Sequence, residues 1–231
     1  MTVLDQTGKT RPLLAETFRR LPRKVLLPGL AIYALIVGIG LLLTQVFTSL
    51  ATAEDGLGRT FAANRSAEGN TVSEVFSLLG STPVIIGLML VTAVALRLAF
   101  HRWREAIIVI TAVTLQATIF LFTGLVIDRQ RPDVVKLEEA APTSSFPSGH
   151  TGAATALYLG IALILFWQLR RTALKTVVIT LLVALPLAVA VSRLYRGMHH
   201  PSDVIVGLAN GAACVFVAAR AYLANWRRRI S

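Results

Sequence analysis

Six apolar runs, each long enough to cross a bilayer, constrain this chain more than any other feature of it. A helix needs about 20 apolar residues to traverse the hydrocarbon core. Such runs extend from Val25 to Leu50, Thr82 to Phe100, Ala106 to Ile127, Thr151 to Leu169, Thr176 to Leu194 and Val204 to Trp226. Backbone polar groups inside a bilayer must bond within their own segment, which for runs of this length means α-helices. The chain therefore reads as an all-α integral membrane protein, a bundle of six transmembrane helices in a single domain over residues 1–231. Arg97 and Arg220 fall near the ends of their runs, where a long side chain snorkels to the headgroups. The first run follows basic residues and precedes Ala51-Thr52-Ala53, which looks like a cleavage site. It is much longer than the about 7–15 residues of a signal h-region, so it reads as an uncleaved anchor.

Charge gives the bundle a direction. The N-terminal segment 1–24, the second and fourth connections and the C-terminus hold 16 of the 23 Lys and Arg residues. An excess of basic residues in short connections marks the cytoplasmic side, so both termini are expected there. Trp103, Trp167 and Trp226 fall at the same ends of their spans, as interfacial anchors do. The net charge of +11 is thus a topological signature. It does not point to nucleic acid, whose binders gather basic residues on one soluble face. The lone Cys214 lies inside an apolar run and reads as helix packing. Gly207 and Gly211 form a small-xxx-small pair suited to close packing within the bundle.

Two external connections are long. The loop 51–81 is polar, with a short interfacial helix expected from Thr71 to Leu79 on its apolar positions Val72, Val75, Phe76 and Leu79. It reads as a covering loop, with a lid over a lipid entrance as the alternative. The loop 128–150 enters the fourth span and is the expected active-site loop.

With this topology the third and fifth spans exit, and the fourth and sixth enter, on the outer face. Their ends carry Arg129, Arg131, Ser148, His150, Arg193, Arg196, His199, His200 and Asp203. Polar groups converging at four helix ends make a site before any chemistry is assigned. The residue types suit phosphoryl transfer. Arg131 and Arg193 offer rigid donor forks to phosphate oxygens. Pro147-Ser148-Gly149-His150 precedes a helix, where free N–H groups and the dipole favour an anion. Asp203, four residues after His199, could reach back to the imidazole and leave its other nitrogen as a nucleophile, with His150 as the general acid. His200 reads as a solvent-facing side chain, and Asp128, Glu138 and Glu139 as solvated loop charges.

Arg131-Pro132, the Pro-Ser-Gly-His run at 147–150, and Ser192-Arg193 followed by His199 and Asp203 resemble the tripartite signature of the type 2 phosphatidic acid phosphatase (PAP2) superfamily. The six-helix membrane branch of that family accounts for the whole chain. The resemblance implies a phosphohistidine at His199, oriented by Asp203. It also implies proton transfer by His150 and phosphate binding by Arg131, Arg193, Ser148 and Gly149, with no metal and no cofactor. One position departs from the pattern: Gly124 stands where the first element usually begins with a lysine. Arg129, Arg196 and Lys136 are the candidates to replace it, with Arg129 first.

The expected activity is hydrolysis of a lipid phosphate at the outer face of a bacterial cell membrane, through groups at headgroup level. Among substrates a polyprenyl diphosphate such as undecaprenyl diphosphate comes first, then phosphatidic acid or phosphatidylglycerol phosphate. A vanadium haloperoxidase would share the motif, but six spans and the missing lysine argue against it. A lipid transporter would carry ionisable groups near the midplane, whereas these sit at helix ends.

Overall fold

The computed structural model describes residues 22–140, 143–169 and 172–223, together with the backbone of 2–4 and 10–12. Arg170, Arg171 and Trp226 lie outside the described residues. Ahead of the bundle, β1 (Thr2–Leu4) pairs antiparallel with β2 (Thr10–Pro12). Eight helices follow among the described residues. They are α1 (Arg23–Val46, regular over Leu27–Leu41 with wider turns at either end), α2 (Thr48–Ala63), α3 (Ala67–Leu79), α4 (Thr82–Phe100), α5 (Arg104–Val126), α6 (Gly149–Gln168), α7 (Ala173–Tyr195) and α8 (Pro201–Leu223).

Helices α1 and α4 to α8 are long and apolar enough to span a membrane, and they match the six runs read from the sequence. The spans are not equivalent. Of the most apolar window of each, 61% is buried in α8, 56% in α6 and 44% in α5, against 22% or less in α1, α4 and α7. The inner triad α5–α6–α8 therefore carries the packing, and the other three turn most of their surface to lipid. α6 lies at the centre, against α8, α7 and α5.

Close approach of α6 and α8 rests on missing side chains. A Cβ on Gly207 would stand 2.7 Å from the Ser148 carbonyl oxygen, and one on Gly211 would stand 2.5 Å from that of Gly152. In lipid, where no hydrophobic force drives helices together, such backbone proximity supplies the van der Waals contact that does. Cys214 is fully buried in this region, as expected. At the opposite end Glu105, buried at the start of α5, accepts from Gln168 Nε2 at 2.8 Å and pairs with Arg102 and Arg104 at 2.9 Å each. That knot ties the start of α5 to the end of α6.

The region 51–81 differs from expectation. It is not a loop with one short helix but two helices, α2 and α3, and α1 stops at Val46 rather than Leu50. Ser66 caps α3 by accepting the Gly69 N–H at 3.0 Å. The faces of α3 are the reverse of a soluble amphipathic helix: Ser73 and Ser77 are buried, while Val72, Val75 and Leu78 are exposed. A helix at the membrane surface places its apolar face towards lipid, which leaves its polar face for the protein beneath. What lies beneath is the site.

Candidate active site

The connection from α7 to α8 turns through Gly197, whose φ of +74° suits glycine, and delivers Met198, His199 and His200 to buried positions. His199 Nδ1 lies 2.7 Å from the carbonyl oxygen of Ser145. A carbonyl only accepts, so the proton sits on Nδ1 and the lone pair on Nε2. Burial lowers the His199 pKa from its ordinary value. Asp203 pulls it up, while Arg193 and Arg131 push it down. Burial thus favours the neutral ring, with Nε2 left without a proton.

Asp203 does not hold that nitrogen directly: its Oδ2 stands 3.8 Å from His199 Nδ1. The sequence reading had the carboxylate reaching the imidazole. The structure inserts Ser145 between them, the Ser145 hydroxyl donating to Asp203 Oδ2 at 2.5 Å while the same residue's carbonyl takes the His199 proton. Oδ2 also accepts the His200 N–H at 2.8 Å, and Oδ1 accepts from Arg129 Nη1 at 2.5 Å. The carboxylate is fully buried, and four donors or near neighbours account for its charge.

Arg193, near the end of α7, is 2% exposed. Its Nη1 donates to Ser77 of α3 at 2.5 Å and also to Glu138, while its Nε has no protein partner. Arg131 is less enclosed and spends one Nη1 bond of 2.7 Å on the Met198 carbonyl. Burial lowers its pKa, countered by Asp203 and Glu138. Both forks thus retain donors for an anion.

At the start of α6 the Ser148 N–H donates to the Asp203 carbonyl at 3.0 Å, which ties the beginnings of α6 and α8 together. The Ser148 hydroxyl pairs with Thr151 Oγ1 at 2.9 Å. Ser148 is the N-cap of α6, so the N–H groups of Gly149 and His150 just beyond it have no intrahelical acceptor and remain for a ligand. Half-buried His150 lies against the α3–α4 turn, where a Cβ on Gly80 would come within 3.2 Å of the His150 Cβ.

Three sequence readings are corrected. Arg129, expected to replace the missing lysine as a phosphate ligand, directs its guanidinium away into Asp203, Ser202 (2.6 Å) and Glu54 (2.8 Å). Arg196 is likewise engaged, with Glu138, Ser73 and the carbonyls of Leu137 and Asn70, and Lys136 is exposed. At Gly124 itself a Cβ would meet nothing within 4 Å. Glu138 is not a solvated charge but the shared partner of Arg193 and Arg196. Burial raises its pKa, yet the two arginines outweigh this and hold it below the usual carboxylate range. His200 is 3% exposed, standing between Asp203 (3.4 Å) and Asp55 (3.3 Å). The sequence reading missed Glu54, Ser77 and Ser145. Nothing in their spacing marks them, because they meet the site only through the fold.

Comparison with known proteins sets this geometry in a family. A family model of the PAP2 superfamily matches residues 105–227, more than half of the chain. Among solved structures the fold is similar to a transmembrane PAP2-type phosphatidylglycerolphosphate phosphatase from Bacillus subtilis, with a TM-score of 0.73 and 20% identity over 88% of this chain and 97% of that one. It is also similar to Aquifex aeolicus LpxE, with a TM-score of 0.58 and 24% identity over 71% and 93%. A comparison with curated protein sequences returned no match. The chain belongs to the PAP2 superfamily and has the six-span fold of its membrane phosphatases.

Proposed function

We propose that the protein hydrolyses a lipid phosphate through a phosphohistidine at His199, at the headgroup level of the extracytoplasmic face of a bacterial cell membrane. The observation that carries this reading is the His199 ring, fixed through Nδ1 by the Ser145 carbonyl so that Nε2 is left free, with Arg131 and Arg193 near enough to lower its pKa.

The steps follow from the groups present. The phosphate enters on Arg131, Arg193 and the free N–H groups of Gly149 and His150, whose donors offset charge that grows in the transition state. Nε2 of His199 attacks phosphorus, and the P–O bond to the lipid breaks. Burial and the nearby Arg193 push the His150 pKa down to about 3 in the empty site. The arriving phosphate's negative charge raises it, so His150 takes up a proton on binding and gives it to the departing oxygen. The Nδ1 proton remains shared with Ser145, and Asp203 stabilises the positive ring through that serine. A water molecule then loses a proton to His150 and attacks the phosphohistidine, releasing inorganic phosphate and restoring both histidines. A diphosphate substrate leaves as the lipid monophosphate, a monoester as the lipid alcohol.

The apolar spans and the lipid-facing side of α3 support an amphiphile that keeps its tail in the bilayer. Undecaprenyl diphosphate heads the list of substrates, followed by phosphatidic acid and phosphatidylglycerol phosphate. The Bacillus subtilis neighbour supports the last at the level of the fold. The test is phosphate release from these three by wild type and by His199→Ala in detergent. Wild type should release phosphate, and the variant should lose turnover by at least about a thousandfold. No release from any lipid, or undiminished release by the variant, refutes the reading.

A further inference from the structure

The most enclosed acid on the two external helices is Glu54 of α2, and it is bonded to the reaction centre through Arg129 and Ser202. It is enclosed, 9% exposed in its side chain, and both of its oxygens are used. Oε1 accepts the Ser202 N–H at 2.8 Å, one of the free donors in the first turn of α8. Oε2 accepts the Ser202 hydroxyl at 2.9 Å and Arg129 Nη2 at 2.8 Å. Arg129 in turn bonds Asp203, Asp203 bonds Ser145, and Ser145 holds His199. An unbroken chain of hydrogen bonds thus runs from a helix outside the motif to the nucleophile, through groups that are nearly all buried.

We propose that Glu54 is a positioning residue for the proposed reaction, fixing Arg129 and the start of α8 so that Asp203 and Ser145 present His199 in one tautomer and one orientation. This rests on the phosphatase reading above. It explains two observations the motif leaves open. First, Arg129 lies beside the site yet offers no fork to a phosphate, because its task is to share one cation between two carboxylates. Second, α2 lies over the bundle although it has no fully buried residue and Leu50 and Leu57 are exposed. Glu54 ties it to Arg129 and Ser202, and Asp55 Oδ1 lies 3.3 Å from His200 Nε2.

Such a role predicts a loss in the chemical step with binding preserved. Small displacements of a reacting group cost on the order of a hundredfold in rate. In the purified full chain, Glu54→Gln should lower kcat by about tenfold to a hundredfold on a lipid phosphate, with KM within about twofold. Glu54→Asp should recover part of the loss. Because Glu54 acts through Arg129, the double variant Glu54→Gln/Arg129→Gln should be no slower than Arg129→Gln alone. Melting temperatures taken on the same samples separate positioning from misfolding. Wild-type kcat in Glu54→Gln overturns the proposal, as do losses that multiply in the double variant or that follow melting temperature. Orthovanadate, read by calorimetry, gives a measure that needs no turnover. Glu54→Gln should bind it at least about tenfold more weakly than wild type, and equal affinity overturns the proposal. Wild type that binds vanadate but cleaves no lipid phosphate defeats the function reading and leaves this one to the vanadate comparison.

Discussion

Replacing Gly211 with alanine tests whether the seam between α6 and α8 sets the site. The added Cβ would lie 2.5 Å from the Gly152 carbonyl oxygen, 2.5 Å from the Thr155 Cβ and 2.9 Å from the Ala156 nitrogen. Non-bonded carbons rest at about 3.5–4.0 Å, so the shortfall is on the order of 1 Å. Two of the three neighbours are backbone and the third is a Cβ, which no rotamer change can move. The helices must therefore separate. Overpacking of this kind costs about 1–3 kcal/mol, and a gap of about 0.5–1 Å along the seam removes a quarter to a half of each contact it opens. Gly211 sits eight residues past Asp203, about 12 Å along the axis at 1.5 Å per residue. The displacement reaches the Ser148 N–H to Asp203 carbonyl bond, 3.0 Å long in the wild type, in weakened form. Turnover should fall by about tenfold or more, with a melting temperature several degrees lower. Gly38→Ala, where a Cβ meets nothing within 4 Å, is the matched control and should behave as wild type. Phosphate release and thermal unfolding in the same detergent read both effects. Wild-type turnover and melting in Gly211→Ala would refute the claim that this seam is tight.

Two further outcomes follow from charge. The folded His199 has a lowered pKa, so it refuses a proton that the unfolded chain accepts below about pH 6.5. Stability is therefore lost as pH falls from that value towards the folded pKa, and the neutral nucleophile persists further into acid than a free imidazole. The acid limb of kcat/KM should have its midpoint below about 6.5, and a midpoint at or above it would exclude this environment for the ring. Glu138→Gln removes the counter-charge of Arg193 and Arg196. The loss should be on the order of 2 kcal/mol, less than for a fully enclosed pair because Glu138 is 28% exposed, and KM should rise as Arg193 loosens. The pair's stability is present above the ordinary glutamate range and lost as pH falls through the lowered Glu138 value. Calorimetric unfolding between pH 3 and pH 7 measures it, and a variant that matches wild type throughout would count against the pairing.

The spans were legible because hydrocarbon admits so few solutions: apolar length alone set α1 and α4 to α8. The convergence of Arg131, His150, Arg193, His199 and Asp203 was legible from helix parity and spacing. The roles of Arg129, Glu138 and His200 were not. Each is a polar residue in an external connection, and the sequence cannot say whether its neighbour is water or a buried counter-ion. Helix α2 was missed for a related reason. Its residues are too polar for a span and too mixed for a clean amphipathic period, and its ties to the bundle, Glu54 to Arg129 and Ser202 and the Phe61 ring to Tyr195, are made only through the fold. Ser145 escaped because the atom that matters most in it is a backbone oxygen.

The arrangement of acids around the arginines solves a problem that any enclosed phosphate site poses. Arg129, Arg193 and Arg196 are each nearly buried, and like charges gathered in a poorly solvated place would drive the site apart when no substrate is present. Glu54 and Asp203 carry Arg129, and Glu138 carries Arg193 and Arg196. Arg131, the least enclosed of the four, has no carboxylate within ion-pair distance among the described residues, and its exposure keeps that tolerable. The resting site is therefore close to electrically balanced, with open donors at Arg131, the Arg193 Nε and the start of α6. An arriving phosphate meets a small, aimed set of donors instead of a diffuse positive cavity. In the proposed reaction Glu138 would share Arg193 with the phosphate, so the carboxylate that stabilises the empty site would also limit how tightly the inorganic phosphate product is held.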